Sequence, residues 1–138
     1  MKRPSLMALY EANYRKLDAL VDHWPREAGR VVLAVDAEPQ VVLTLAERFP
    51  YTSTLEVHLV GPGILERLGA RVPILYVRVY HDAKAAEVRG FRGHWRLRSE
   101  YPRPNPDMFA PDEKYQLNRF FSELLDFCRL RGALPTLS

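Results

Sequence analysis

A chain of 138 residues, 47% hydrophobic and 27% charged, has the composition of an ordinary soluble domain, and its length suffices for one well-buried core, so a single domain over residues 1–138 is expected. No apolar run approaches the roughly 20 residues that cross a bilayer, and the opening MKRPSLMALYEANYRKL is interrupted by Glu11, Asn13 and Arg15, which argues against a membrane or secreted class and points to the cytoplasm. The lone Cys128 excludes an internal disulfide or a cysteine-based zinc site, and the net charge of +3 is uneven: residues 71–103 hold eight basic side chains against three acidic ones, a field of +5 that attracts phosphates or acidic partners.

Ser5 is a helix cap, because its hydroxyl can accept from the free amides of the turn that follows. Leu6, Leu9, Tyr10, Asn13, Leu17, Leu20 and Val21 then recur at helical spacing, with Asn13 the one polar break, and the helix should end before Pro25. From Arg30 the period changes to two. Val31, Leu33 and Val35 make one strand, a turn near Ala37 to Gln40 follows, and Val41, Leu43 and Leu45 make the next. A third strand over Thr52 to Val60 places Leu55, Val57 and Leu59 on a packed face and Thr54, Glu56 and His58 on the other, so His58 reads as a solvent-face residue rather than a ligand.

Gly61, Pro62 and Gly63 break that strand and open the longest connection, to Pro73, a candidate lid with a short helical turn over Ile64 to Gly69. Leu75, Val77 and Val79 share one face of the following strand, and Tyr76, Arg78 and Tyr80 share the other. His81 to Lys84 form a tight turn, and residues 84–98 return as one or two strands, with Gly90 and Gly93 marking a turn or bulge. The run PRPNPDMFAP, with four prolines in ten residues, should cross the surface as an extended strap. Pro111 then opens a closing helix whose positive end suits Asp112 and Glu113. Its buried stripe is Leu117, Phe120, Phe121, Leu124, Leu125 and Cys128, and Gly132 caps it.

The expected fold is therefore α+β: an N-terminal helix, a curved antiparallel sheet of five or six strands, and a C-terminal helix, with both helices on one face of the sheet.

Three segments, VRVYHDAKAAEV, YPRPNPD and DEKYQLNRF, resemble the YqiB-like family of small bacterial proteins of unknown function, and the resemblance extends over nearly the whole chain. It highlights Tyr80, His81, Asp82, Ala83, Glu87, Val88, Tyr101, Pro102, Asp112, Glu113, Lys114, Gln116, Asn118, Phe120 and Cys128, and it implies a bacterial cytosolic protein. It brings no activity.

Two polar clusters are the candidate site. His81 beside Asp82 invites proton transfer, but adjacent strand residues point to opposite faces, and an aspartate in a turn commonly bonds the turn's own amides. Asp112, Glu113 and Lys114 suit a helix start without any ligand. The one-turn pairs Asp112 with Gln116 and Lys114 with Asn118 could fasten the helix to the strap or hold a ligand. His58, His81, His94, Asp82, Glu87 and Asp112 show no metal-ligand spacing, and a Walker loop, a dinucleotide glycine motif and a serine-hydrolase motif are absent, so no cofactor, metal or catalytic residue is assigned.

Arg78, Arg89, Arg92, Arg96 and Arg98 interleave with Tyr76, Tyr80, Phe91, Trp95 and Tyr101, a pattern suited to phosphates and stacked bases and equally to a solvated outer face. The leading expectation is a non-enzymatic binding or adaptor module for an acidic protein, a nucleotide or a single-stranded nucleic acid. Its candidate residues are Arg78, Tyr80, His81, Asp82, Arg96, Tyr101, Asp112, Glu113, Lys114, Gln116 and Asn118. The alternative is a small hydrolase or transferase on a phosphorylated metabolite, using His81 with Asp82 or Glu113 and holding phosphate with Lys114 or Arg78. An unpaired edge strand also makes a homodimer conceivable.

Overall fold

The computed structural model of the chain describes residues 4–21, 29–61, 71–94 and 111–137. The elements are α1 (Leu6–Leu20), β1 (Arg30–Val35), β2 (Glu38–Arg48), β3 (Thr52–Leu59), β4 (Arg71–Tyr80), β5 (Ala85–His94), α2 (Pro111–Leu130) and β6 (Leu134–Leu137). All strand pairings are antiparallel, and the sheet order is β5-β4-β3-β2-β1-β6.

Alternation along the strands decides what covers the sheet. Val31, Leu33, Val41, Leu43, Leu55, Val57, Leu75, Val77, Val79, Ala86 and Val88 lie on one face, and they form a single cluster with Leu17 and Leu20 of α1, Val21 that caps it, and Leu117, Phe120, Phe121, Leu124, Leu125 and Cys128 of α2. Both helices therefore pack on the same face, as the segregated order of elements implies. Each fully buried leucine or valine here is worth about 2 kcal/mol of transfer free energy. The helices also touch each other: Lys16 Nζ reaches Ser122 Oγ at 2.6 Å and Asp126 Oδ2 at 2.9 Å.

Local signals account for most boundaries. Ser5 Oγ accepts from the Ala8 amide at 3.1 Å. Gly132, at φ +69°, ends α2 with bonds from its own amide to Arg129 O and from the Ala133 amide to Cys128 O, the paired pattern of a glycine C-cap. Gly90 flanks a bulge in the β4–β5 pairing, so β5 runs unbroken through it to His94.

Two elements differ from the sequence expectation. The β1–β2 turn is the pair Asp36 and Ala37, both at positive φ (52° and 65°), one residue earlier than the hydrophobic pattern suggests, because Glu38 already pairs with Val35. The sixth strand follows α2 and pairs with β1. It is too short, and too close to the glycine cap, to show a period of its own. β6 and β5 are the sheet edges, and β6 carries Pro135, which has no amide hydrogen to offer a further strand. The candidate lid at 61–73 and the proline strap fall mostly or wholly outside the described residues. No described helix is long and apolar enough to cross a membrane.

Candidate functional site

The edge strand β5 is where the predicted polar residues meet. Alternation turns Ala86 and Val88 toward the core and sends Glu87 to the opposite face, where its carboxylate is the hub of a cluster. Lys114 Nζ of α2 lies 2.6 Å from Glu87 Oε2, Tyr80 donates its hydroxyl to Glu87 Oε1 at 3.1 Å, and Arg89 Nη1 stands 3.9 Å from the same oxygen. Tyr10 of α1 joins from the helix side, hydrogen-bonded to both Glu87 and Lys114.

The electrostatics follow from this arrangement. Burial pushes the Glu87 carboxyl up, but Lys114, Tyr80 and Arg89 outweigh it and hold the group below the usual carboxylate range. Burial pushes Lys114 down, and the contact with Glu87 outweighs that and raises it. Tyr10 is raised, first by burial and then by the negative charge of Glu87. The cluster is thus a satisfied ion pair at the sheet edge.

Beside it, Asn118 of α2 meets the backbone of Val88: its Oδ1 accepts from the Val88 amide at 2.8 Å and its Nδ2 reaches Val88 O at 3.5 Å. The same Nδ2 also donates to Lys114 O at 2.9 Å, and Asn13 Nδ2 donates to Asn118 O at 3.4 Å. Both asparagines are fully buried. The expected one-turn pairs are present, since Gln116 Nε2 donates to Asp112 Oδ2 at 2.9 Å, and Glu113 is buried at 3% exposure.

The hairpin tip divides between the two faces. Tyr80 turns toward Glu87, whereas His81 Nε2 lies 2.8 Å from Ser53 Oγ, a residue in line with the core face of β3. The His81 amide donates to Tyr51 O at 2.9 Å. Burial lowers the His81 pKa and Arg48 adds to this, against a smaller opposing effect from Asp82, so the imidazole is neutral at pH 7. Asp82 is exposed, and its Oδ1 accepts from the Ala83 amide at 2.9 Å, as the turn reading anticipates.

Arg78 is placed differently from all of these. It lies on β4 between Tyr76 and Tyr80, on the face away from the helices, with Thr54 of β3 and Glu87 of β5 opposite it in register. Its Nε is buried with no hydrogen-bond partner. Phe91 departs from the interleaved pattern: it is opposite Leu75 and packs against the core, because the bulge before Gly90 shifts β5 by one residue. Arg96 and Tyr101 lie outside the described residues, as do Arg98 and Trp95.

Sequence reasoning placed Tyr80 and Lys114 among the candidate site residues and highlighted their link, Glu87, only through the family resemblance, while Tyr10, Ser53 and Thr54 were not among the candidates. Glu87 was legible in principle, as the polar residue between two small apolar ones on a strand. The other three carry no signal without the strand pairing and helix packing that place them. Among the described residues no group of three or more His, Cys, Asp and Glu side chains is placed to hold a metal ion. Cys128 is buried, and burial pushes its thiol up to about 11, far from a reactive thiolate.

A family described as a protein of unknown function (DUF1249) matches residues 16–134. Curated proteins described as uncharacterized protein YqiB, from Escherichia coli strains K12, O6:H1 and O157:H7, are each 33% identical over 133 residues, covering 95% of this chain and 91% of the relative. Comparison with solved structures gives no match.

Proposed function

The chain belongs to the DUF1249 family of proteins of unknown function, and from that premise we propose that it is a non-enzymatic binding module that recognises an anionic ligand or an acidic partner through the sheet face opposite the helices. The observation that supports this reading is Arg78. A guanidinium remains charged at any physiological pH, so a buried Nε without an acceptor is a standing cost of about 1–3 kcal/mol. The carboxylate nearest in register, Glu87, is already bound by Lys114, Tyr80 and Arg89. An oxyanion that draws this half-buried side chain outward would relieve the cost. Arg89 and Arg92 are exposed on the adjoining strand and add to the field that draws an anion in.

The cluster around Glu87 has a different part in this reading. Its charges and hydroxyls satisfy one another, so it fastens α2 and α1 to the edge of the sheet and keeps the neighbouring carboxylate away from Arg78. Fluorescence anisotropy with an oligo-dT strand, a nucleotide and an acidic polypeptide, titrated across salt, tests the reading. Association at low salt that weakens as salt rises, and that Arg78→Gln reduces about tenfold, is expected. No association with any of the three at low salt overturns it.

A further inference from the structure

Ala34 stands between Leu33, which is fully buried, and Val35, which packs on the core, so its side chain faces away from the helices. Directly opposite it in the sheet are Leu134 of β6 and Pro39 of β2. Val60, one residue past the core-facing Leu59, continues this row beside β2, its amide donating to Gln40 O at 3.0 Å. The next outward row pairs Val32 with Val42. Leu134 is 71% and Val60 50% exposed, and Pro39 is exposed between them. Six uncharged side chains thus share one area of a face that elsewhere carries Thr54, Glu56, His58 and Arg78. A contiguous apolar area left in water is the kind of surface by which one protein binds another.

Charge at the two ends of this area selects what covers it. β1 enters the area at Arg30, and the chain leaves it at Asp36; both are exposed, and they stand three residues before and three residues after Leu33. A lipid surface, or a partner of one sign, meets one end favourably and the other unfavourably. A second copy, turned about a two-fold axis that crosses the strands at Leu33, sets Arg30 of each chain over Asp36 of the other and lays the Ala34 row on the Val32 row. Both ends then match at once. Edge-to-edge pairing through β6 is disfavoured by Pro135, whose nitrogen carries no hydrogen, which leaves the faces as the route of contact.

We infer that the chain self-associates through the outer face of β6, β1 and β2 as a two-fold, face-to-face dimer. This goes beyond the anion-binding reading and does not compete with it. Arg30, Thr44, Glu56 and Tyr76 form one row across the sheet, and Thr54 and Arg78 lie in the row after it, beyond the point where the two β1 strands overlap.

Sedimentation equilibrium of the full chain over a wide concentration range is the test, and a reversible dimer is expected. Leu134→Asp, at a site open enough to spare the fold, buries an unpaired charge in the contact and is expected to weaken association about tenfold or more. Arg30→Glu and Asp36→Lys each set like charges over one another and are expected to weaken it about tenfold. An equal mixture of those two variants is expected to associate within about threefold of the wild type, because opposite charges then meet at both ends of the mixed dimer. Leu130→Asp, at an 81% exposed site on α2, is expected to change nothing. A chain that stays monomeric throughout, or a dimer indifferent to Leu134→Asp, overturns the inference. So does a mixture that associates no better than its two components. Loss of the dimer in Leu130→Asp does so as well, since it places the contact on the helix layer.

Discussion

The side-chain amide of Asn118 bonds both polar groups of the Val88 backbone, accepting from its amide at 2.8 Å and reaching its carbonyl at 3.5 Å, so one residue of α2 does at the β5 edge what a seventh strand would do. An uncovered edge is a template for pairing with another chain, and covering it with a helix is one way to prevent that. Asn118→Ala leaves a buried N–H and C=O unsatisfied and should cost about 3 kcal/mol. Urea denaturation measures the loss, and amide exchange at Val88 should accelerate beyond what the global loss explains. An unchanged exchange rate at Val88 would show that the contact is incidental.

The Glu87–Lys114 pair predicts stability lost at both extremes of pH. The Glu87 pKa is lowered on folding, so its contribution is complete above the ordinary value of 4.5 and disappears as the pH falls through the lowered one. The Lys114 pKa is raised, so its contribution is complete below 10.5 and disappears as the pH rises through the higher one. Glu87→Gln should flatten the acid decline. Lys114→Met should cost about 2 kcal/mol at neutral pH, since it strips the closest cation from a nearly buried carboxylate. Denaturation midpoints across pH decide the matter, and an acid limb identical in wild type and Glu87→Gln would refute the coupling.

His81 predicts a second acid-sensitive step. Its folded pKa lies below the ordinary 6.5, first because of burial, so the contribution of the neutral ring is complete above 6.5 and is lost as the pH falls through the lowered value. An NMR titration of the imidazole should give a midpoint below 6.5. Ser53→Ala removes the group 2.8 Å from Nε2 and should cost about 1 kcal/mol at neutral pH. A midpoint at or above 6.5 would contradict the placement of the ring.

The turn between β1 and β2 holds Ala37 at φ +65°, a conformation that costs a side-chain-bearing residue about 1 kcal/mol relative to glycine. Ala37→Gly creates the Asp-Gly pair that suits a two-residue hairpin turn. It should raise the denaturation midpoint by an amount equivalent to about 1 kcal/mol with an unchanged slope. A lower midpoint would mean that the backbone entropy of glycine outweighs the strain.

What was legible in the chain was whatever depends on near neighbours. The period-two runs from Val31 to Val88 give the strands and their inward faces, and Ser5 and Gly132 mark helix ends through groups within a few residues of them. Asp82 bonding its own turn and Gln116 bonding Asp112 are equally local. Thr54 was read as an outward residue, but its lack of a partner is a property of the β3–β4 pairing and appears in no spacing. β6 escaped notice because four residues with a proline, after a glycine cap, show too little period to announce a strand.

By itself the sequence determined an α+β architecture, five strands with their core faces, both helices, and the resemblance to a family, since each follows from side-chain periodicity or from capping and turn chemistry along the chain. Only the tertiary structure decided that Glu87 joins Tyr10, Tyr80 and Lys114, that Asn118 covers the β5 edge, and that Thr54 and Arg78 stand opposite each other without acceptors. Those relationships need strand register and helix placement, which are set by how the whole core packs and not by any one segment.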